Sequence, residues 1–98
     1  MNLRLTPRAL AEAKRMKTWW RQNRPAAPNL FEQEFAAALE RIAQFPGSGK
    51  LYEEGDFDVP VRRVLLPKTL NHVYYATDGQ SVVVLSIWGA LHESGPKL

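Results

Sequence analysis

Ninety-eight residues, 45 % of them hydrophobic, suffice for one core and one domain spanning 1–98. The lack of cysteine excludes disulfides and thiolate metal sites, and no apolar run nears the roughly 20 residues of a membrane span. The net charge of +3 is mild but uneven: residues 1–24 carry seven Lys/Arg against one acid, residues 25–60 two bases against seven acids, and residues 61–98 four bases against two acids. A basic end favours an acidic partner, against the plainer reading of a solvated helix face. The N-terminus carries no apolar segment of signal-peptide type, so the chain is expected to be soluble and cytoplasmic.

Asn2 to Leu5 alternates and is too short to stand alone, so it is expected at a sheet edge. Thr6-Pro7 then predicts a helix start, with threonine capping free N–H groups and proline pre-set at the first helical position. This first helix is predicted to run to about Gln22. Ala9, Ala13, Met16 and Trp20 form its apolar stripe, and Arg8, Glu12, Lys14 and Arg15 sit off it. Trp19 lies beside the stripe, partly exposed. Pro25 and Pro28 break the helix.

A second helix is predicted from about Pro28 to Gln44, with the stripe Phe31, Phe35, Ala38, Ile42 and Phe45. Phe45-Pro46-Gly47 stops it, and the short connection makes the two helices an antiparallel hairpin. Phe35, Ile42, Met16 and Trp20 are expected to face a sheet. Lys50 to Pro60 reads as an acidic connector carrying Glu53, Glu54, Asp56 and Asp58, pinned by Leu51, Tyr52 and Phe57.

The rest of the chain is organised around residues 61–88. Val61–Leu66, Leu70–Ala76 and Ser81–Trp88 are three apolar, β-branched-rich runs. Pro67 ends the first, because it lacks an N–H for a ladder, and Asp78-Gly79 suits the positive φ angles of a hairpin turn. Short turns force antiparallel neighbours, so this is a meander. Ser81–Trp88 is apolar enough to be buried on both faces. The tail after Trp88 reads as irregular. The fold class is α+β: an N-terminal strand, then an antiparallel helical hairpin packed on an antiparallel sheet with a C-terminal three-strand meander.

Chemistry is sparse. His72 and His92 lack metal-ligand spacing, the acidic connector lacks calcium-loop spacing, and Gly47-Ser48-Gly49-Lys50 follows a helix, the wrong context for a phosphate loop. No metal or cofactor is expected. Arg62-Arg63 stands out. Adjacent strand residues point to opposite faces, so at least one arginine leaves the helix-covered side. With Lys68 in the next turn it could hold phosphate or carboxylate; the plainer reading pairs it with Glu53 or Asp58.

The order and spacing of L-T-P-R-A-L-A-E-A, Phe45-Pro46-Gly47, V-R-R-V-L-L-P-K-T-L-N-H-V-Y-Y-A and V-V-V-L-S-I-W resemble the RelE/ParE superfamily of bacterial toxins, also labelled plasmid-stabilisation proteins. The likeness covers nearly the whole chain. It implies the helical hairpin on an antiparallel sheet, and a toxin of a type II toxin–antitoxin pair neutralised by a cognate antitoxin.

Two activities exist among such proteins. RelE-like members cut mRNA on the ribosome; ParE-like members inhibit DNA gyrase and are not nucleases. Where many relatives read W-H-A-R-R, this chain has Trp88-Gly89-Ala90-Leu91-His92, and its tail has no tyrosine. A metal-free ribonuclease needs a base, an acid and cations for the phosphorane charge. Arg62, Arg63 and His92 are the thin set on offer, helped by Lys50 and Lys68. The ParE-like reading is therefore preferred: no catalytic residues, no direct nucleic-acid binding, gyrase as target. The alternatives are a ribosome-dependent ribonuclease, and a degenerate toxin retained to bind antitoxin. Residues expected to meet antitoxin or target are Arg8, Arg15, Trp19, Arg62, Arg63 and Lys68.

Overall fold

The computed structural model describes residues 1–55 and 57–98; Asp56, one of the connector acids, lies outside the described residues. The chain runs β1 (Asn2–Leu5), α1 (Pro7–Asn23), α2 (Leu30–Gln44), a 3-10 turn (Pro46–Ser48), β2 (Lys50–Tyr52), β3 (Val61–Leu66), β4 (Asn71–Thr77) and β5 (Ser81–Gly89). Five strands form one mixed sheet in the order β1-β5-β4-β3-β2. The meander is antiparallel throughout, β2 adds antiparallel to β3, and β1 pairs in parallel with β5. A parallel neighbour needs a crossover; here the helical hairpin carries the chain from β1 to the far edge at β2, and the antiparallel strands bring it back to β5.

Local chemistry sets the elements. Thr6 Oγ1 accepts from the Ala9 N–H at 3.1 Å, which caps α1 directly ahead of Pro7. Asp78 Oδ1 accepts from Gln80 and Ser81 N–H at 2.8 and 2.9 Å, and Gly79 takes φ +90°, which closes the β4–β5 turn. Across the helices, the Glu32 carboxylate meets Lys17 at 2.6 Å and Arg21 at 3.3 Å, tying the end of α1 to the start of α2.

Both helices lie on one face of the sheet. Ala9, Ala13, Phe31, Ala38 and Ile42 bury against Val64, Leu66, Val73, Tyr75, Val82, Val84 and Ile87. Met16, Trp20 and Phe35 are only partly buried against this core. Four expectations change. Phe45 is exposed, because it is the residue that leaves α2 and its side chain no longer follows the helical stripe. Glu12, expected off the apolar stripe, is 5 % exposed. Leu51, expected to pin the connector, is exposed. The stretch read as connector begins with a strand, β2, because the backbone of residues 50–52 completes the free edge of β3.

The explanation for Glu12 lies in β5. The β4–β5 ladder slips at Tyr74/Tyr75, so Leu85 bulges out of register between Val84 and Ser86. Glu12 Oε1 accepts from Ser86 Oγ at 2.9 Å and from the Ile87 N–H at 3.3 Å. Thr6 Oγ1 donates to the Leu85 carbonyl at 3.2 Å. Helix α1 and its cap thus supply the partners for polar groups around the bulge.

The second face of the sheet carries a smaller cluster of Tyr52, Val61 and Tyr74, with Phe57, Leu85 and Trp88 around it. The tail crosses this face. Trp88 Nε1 donates to the Ser94 carbonyl at 3.1 Å, Pro96 is buried, and Arg8 Nη1 donates to the Lys97 carbonyl. Among the described residues, no helix is long and apolar enough to cross a membrane.

Candidate functional site

Strand alternation separates the two central arginines. Arg62 pairs in register with Tyr75, on the helix-covered face, and donates to the Gly49 carbonyl at 2.9 Å. Arg63 pairs with Tyr74 on the opposite face; its Nη1 lies 3.3 Å from Tyr74 Oη, and its guanidinium stands 5.4 Å from the centre of the Tyr52 ring. Among the described residues neither arginine forms an ion pair with Glu53 or Asp58.

Arg63, His72, Tyr74, Trp88 and His92 line one hollow of about 190 Å³. The His92 ring lies 5.0 Å from that of Trp88. Glu54 and Glu93 line the same hollow. Burial holds His72 below the ordinary imidazole range, and the Arg63 charge pushes the same way, so its ring is neutral near pH 7. Burial likewise raises the Tyr52 phenol, with Glu54 adding to it. The hollow therefore offers one cation, two carboxylates and two histidines. That set lacks the concentration of positive charge a phosphodiester transition state requires. Among the described residues, no group of three or more His, Cys, Asp or Glu could hold a metal ion.

A different pair of expected residues does come together. Trp19 and Lys68 line a groove of about 430 Å³, with Met16, Trp20, Arg24, Leu70 and Leu91 among its walls. Trp19 is 46 % exposed, Leu70 43 % and Leu91 81 %. Trp19 meets Trp20 edge-on, with ring centres 5.6 Å apart, and the Arg24 guanidinium lies 5.0 Å over the Trp19 ring.

Leu70 is the unexpected member. Its φ is +59°, a left-handed conformation that costs a leucine about 1–2 kcal/mol. The turn after β3 enforces it. Leu70 N–H donates to the Leu66 carbonyl and Ala90 N–H to the Leu70 carbonyl, both at 2.8 Å. Glu34, on α2, accepts from Lys68 N–H at 2.7 Å, Thr69 N–H at 3.0 Å and Thr69 Oγ1 at 2.7 Å. Sequence reasoning placed Leu70 at the start of a strand, because an apolar residue before Asn71 continues the run. No local signal marks the turn's fourth residue as left-handed when it is not glycine or asparagine.

The basic first helix is more engaged than its composition suggests. Arg8 pairs with Glu12 at 3.6 Å besides its bond to Lys97, and Arg21 is held by Glu32. Arg15 is exposed and makes no ion pair among the described residues.

A helical hairpin laid across one face of a sheet in this order defines a small α+β domain. The same fold is found in a solved structure from P. aeruginosa described as a chromosomal ParDE TA system. The TM-score is 0.72, with 17 % identity, covering 91 % of this chain and 95 % of that one. No curated protein matches the chain. A family model described as "ParE toxin of type II toxin-antitoxin system, parDE" matches residues 3–92. The chain belongs to the ParE toxin family of type II toxin–antitoxin systems.

Proposed function

We propose that this chain is a cytoplasmic toxin that acts by binding and inhibiting DNA gyrase, that a cognate antitoxin neutralises it, and that it serves plasmid stabilisation. Family membership over residues 3–92 supports the toxin reading. The observation that carries the choice of target is the separation of Arg62 from Arg63. A ribonuclease built from Arg62, Arg63 and His92 needs its cations convergent on one phosphate, and strand alternation puts these arginines on opposite faces. Glu54 and Glu93 beside Arg63 and His92 disfavour a polyanion further.

The contact residues in this reading are Arg8, Arg15, Trp19, Arg62, Arg63 and Lys68. They favour an acidic, amphipathic antitoxin segment that orders on binding. The deciding experiment expresses the toxin alone and follows plasmid supercoiling and translation side by side. Altered supercoiling before any fall in translation is the expected order. His92→Ala should leave toxicity nearly unchanged. Translation failing first, or toxicity abolished in a folded His92→Ala protein, makes the chain a ribonuclease instead.

A further inference from the structure

We propose that the groove between the end of α1 and the β3–β4 turn is the docking site for the antitoxin, and that Leu70 is its central anchor. The inference rests on the antitoxin reading above and deepens it by naming the surface and the chemistry that fills it.

Three large apolar side chains, Trp19, Leu70 and Leu91, are exposed around one concavity. Each scattered singly needs no explanation; grouped, they mark a surface that is covered in use. Among the described residues, its walls carry the cations Arg24 and Lys68 and no carboxylate. Glu34, on α2, is turned to the backbone of the same turn, accepting from Lys68 N–H and both donors of Thr69, and does not line the groove. Charge complementarity therefore selects a segment with apolar residues on one side and Asp or Glu at its flanks, the pattern of an amphipathic helix laid in a groove.

Leu70 adds the specific argument. A leucine is held in the left-handed region by hydrogen bonds on both sides, with its side chain exposed. Asparagine or glycine would satisfy the same backbone without strain. Strain of this kind clusters at ligand clamps, where the surrounding structure over-determines it. What leucine adds over those residues is an apolar side chain on a rigid mount, beside an aromatic pair that buries large area at little entropic cost.

The test uses the full chain and the antitoxin encoded with it, followed by surface binding kinetics at two salt concentrations. Leu70→Asn keeps the turn and removes the anchor. It should melt at or above the parent's temperature yet bind at least about tenfold more weakly, mainly through a faster off-rate. Leu70→Gly should behave the same way, and Trp19→Ala should also weaken binding. Lys68→Glu should slow association and flatten its salt dependence. Binding of the parent with no loss in the Leu70 and Trp19 variants overturns the groove assignment and leaves the antitoxin reading intact. Failure of the parent to bind overturns the antitoxin reading itself, and the groove assignment with it.

Discussion

The carboxylate of Glu12 is buried against Ser86, accepting from its hydroxyl at 2.9 Å while the same oxygen takes the Ile87 N–H at 3.3 Å. An acid on the first helix thereby supplies hydrogen-bond partners to the irregular strand that gives Val82, Val84 and Ile87 to the core. The arrangement fixes the position of α1 along β5, and with it the place of Trp19 over the groove.

Glu12→Ala leaves a buried hydroxyl and a buried N–H without their partner, and should cost about 2–4 kcal/mol in urea melts. Glu12→Gln keeps an acceptor oxygen and should cost less than half as much. Equal losses for the two variants would show that the charge, not the hydrogen bonds, holds the site.

Phe31 and Phe35 stack at 5.4 Å on α2 but are not equivalent. Phe31 is 1 % exposed, whereas Phe35 sits at the core's margin. Phe31→Ala should cost about 3–5 kcal/mol, and Phe35→Ala about half of that. Denaturant melts of the pair check the ranking; a larger loss at Phe35 contradicts it.

Gly49 lies against the phenol of the fully buried Tyr75. The Tyr75 hydroxyl donates to the Pro46 carbonyl at 2.6 Å and accepts from the Gly49 N–H at 2.9 Å. A Cβ at this position would sit 2.5 Å from that hydroxyl oxygen. Gly49→Ala should therefore destabilise by about 1–3 kcal/mol through overpacking, while Gly47→Ala, where a Cβ meets nothing within 4 Å, should not. Thermal melts showing the two alanines alike would remove the close-approach argument.

His72 gives the fold an acid-side pH dependence. Its folded value lies below the ordinary 6.5, so the unfolded chain takes up the proton first as pH falls. Stability attributable to His72 is intact above about pH 6.5 and declines below it, until the folded ring also protonates. Arg63 acts in the same direction, and Tyr74 and Trp88 supply the walls. His72→Gln should flatten the slope of stability between pH 6.5 and the folded value, as read from urea midpoints. An NMR titration placing His72 at or above 6.5 in the folded protein contradicts this.

Periodicity and turn chemistry alone determined the helices, the three-strand meander, the Asp78-Gly79 turn and the capped start at Thr6-Pro7. Each depends on neighbours within a few residues, where amphipathic spacing and backbone geometry act. The inward set Ala9, Ala13, Phe31, Ala38 and Ile42 was legible for the same reason. Glu12 was misread because it falls beside that stripe, and its burial depends on a bulge seventy residues away. Leu70 was misread because its conformation is held by backbone bonds to Leu66 and Ala90, in a turn that Glu34 grips from another element. Arg62 and Arg63 had to part company by strand alternation, but only the register against Tyr75 and Tyr74 decided which joined the helices. Lys68 was expected beside them; the turn instead places it with Trp19, from the far end of α1. Local preference is written in short stretches of sequence. Which surfaces those stretches share is decided by packing between elements distant in the chain, and a binding groove is made of such meetings.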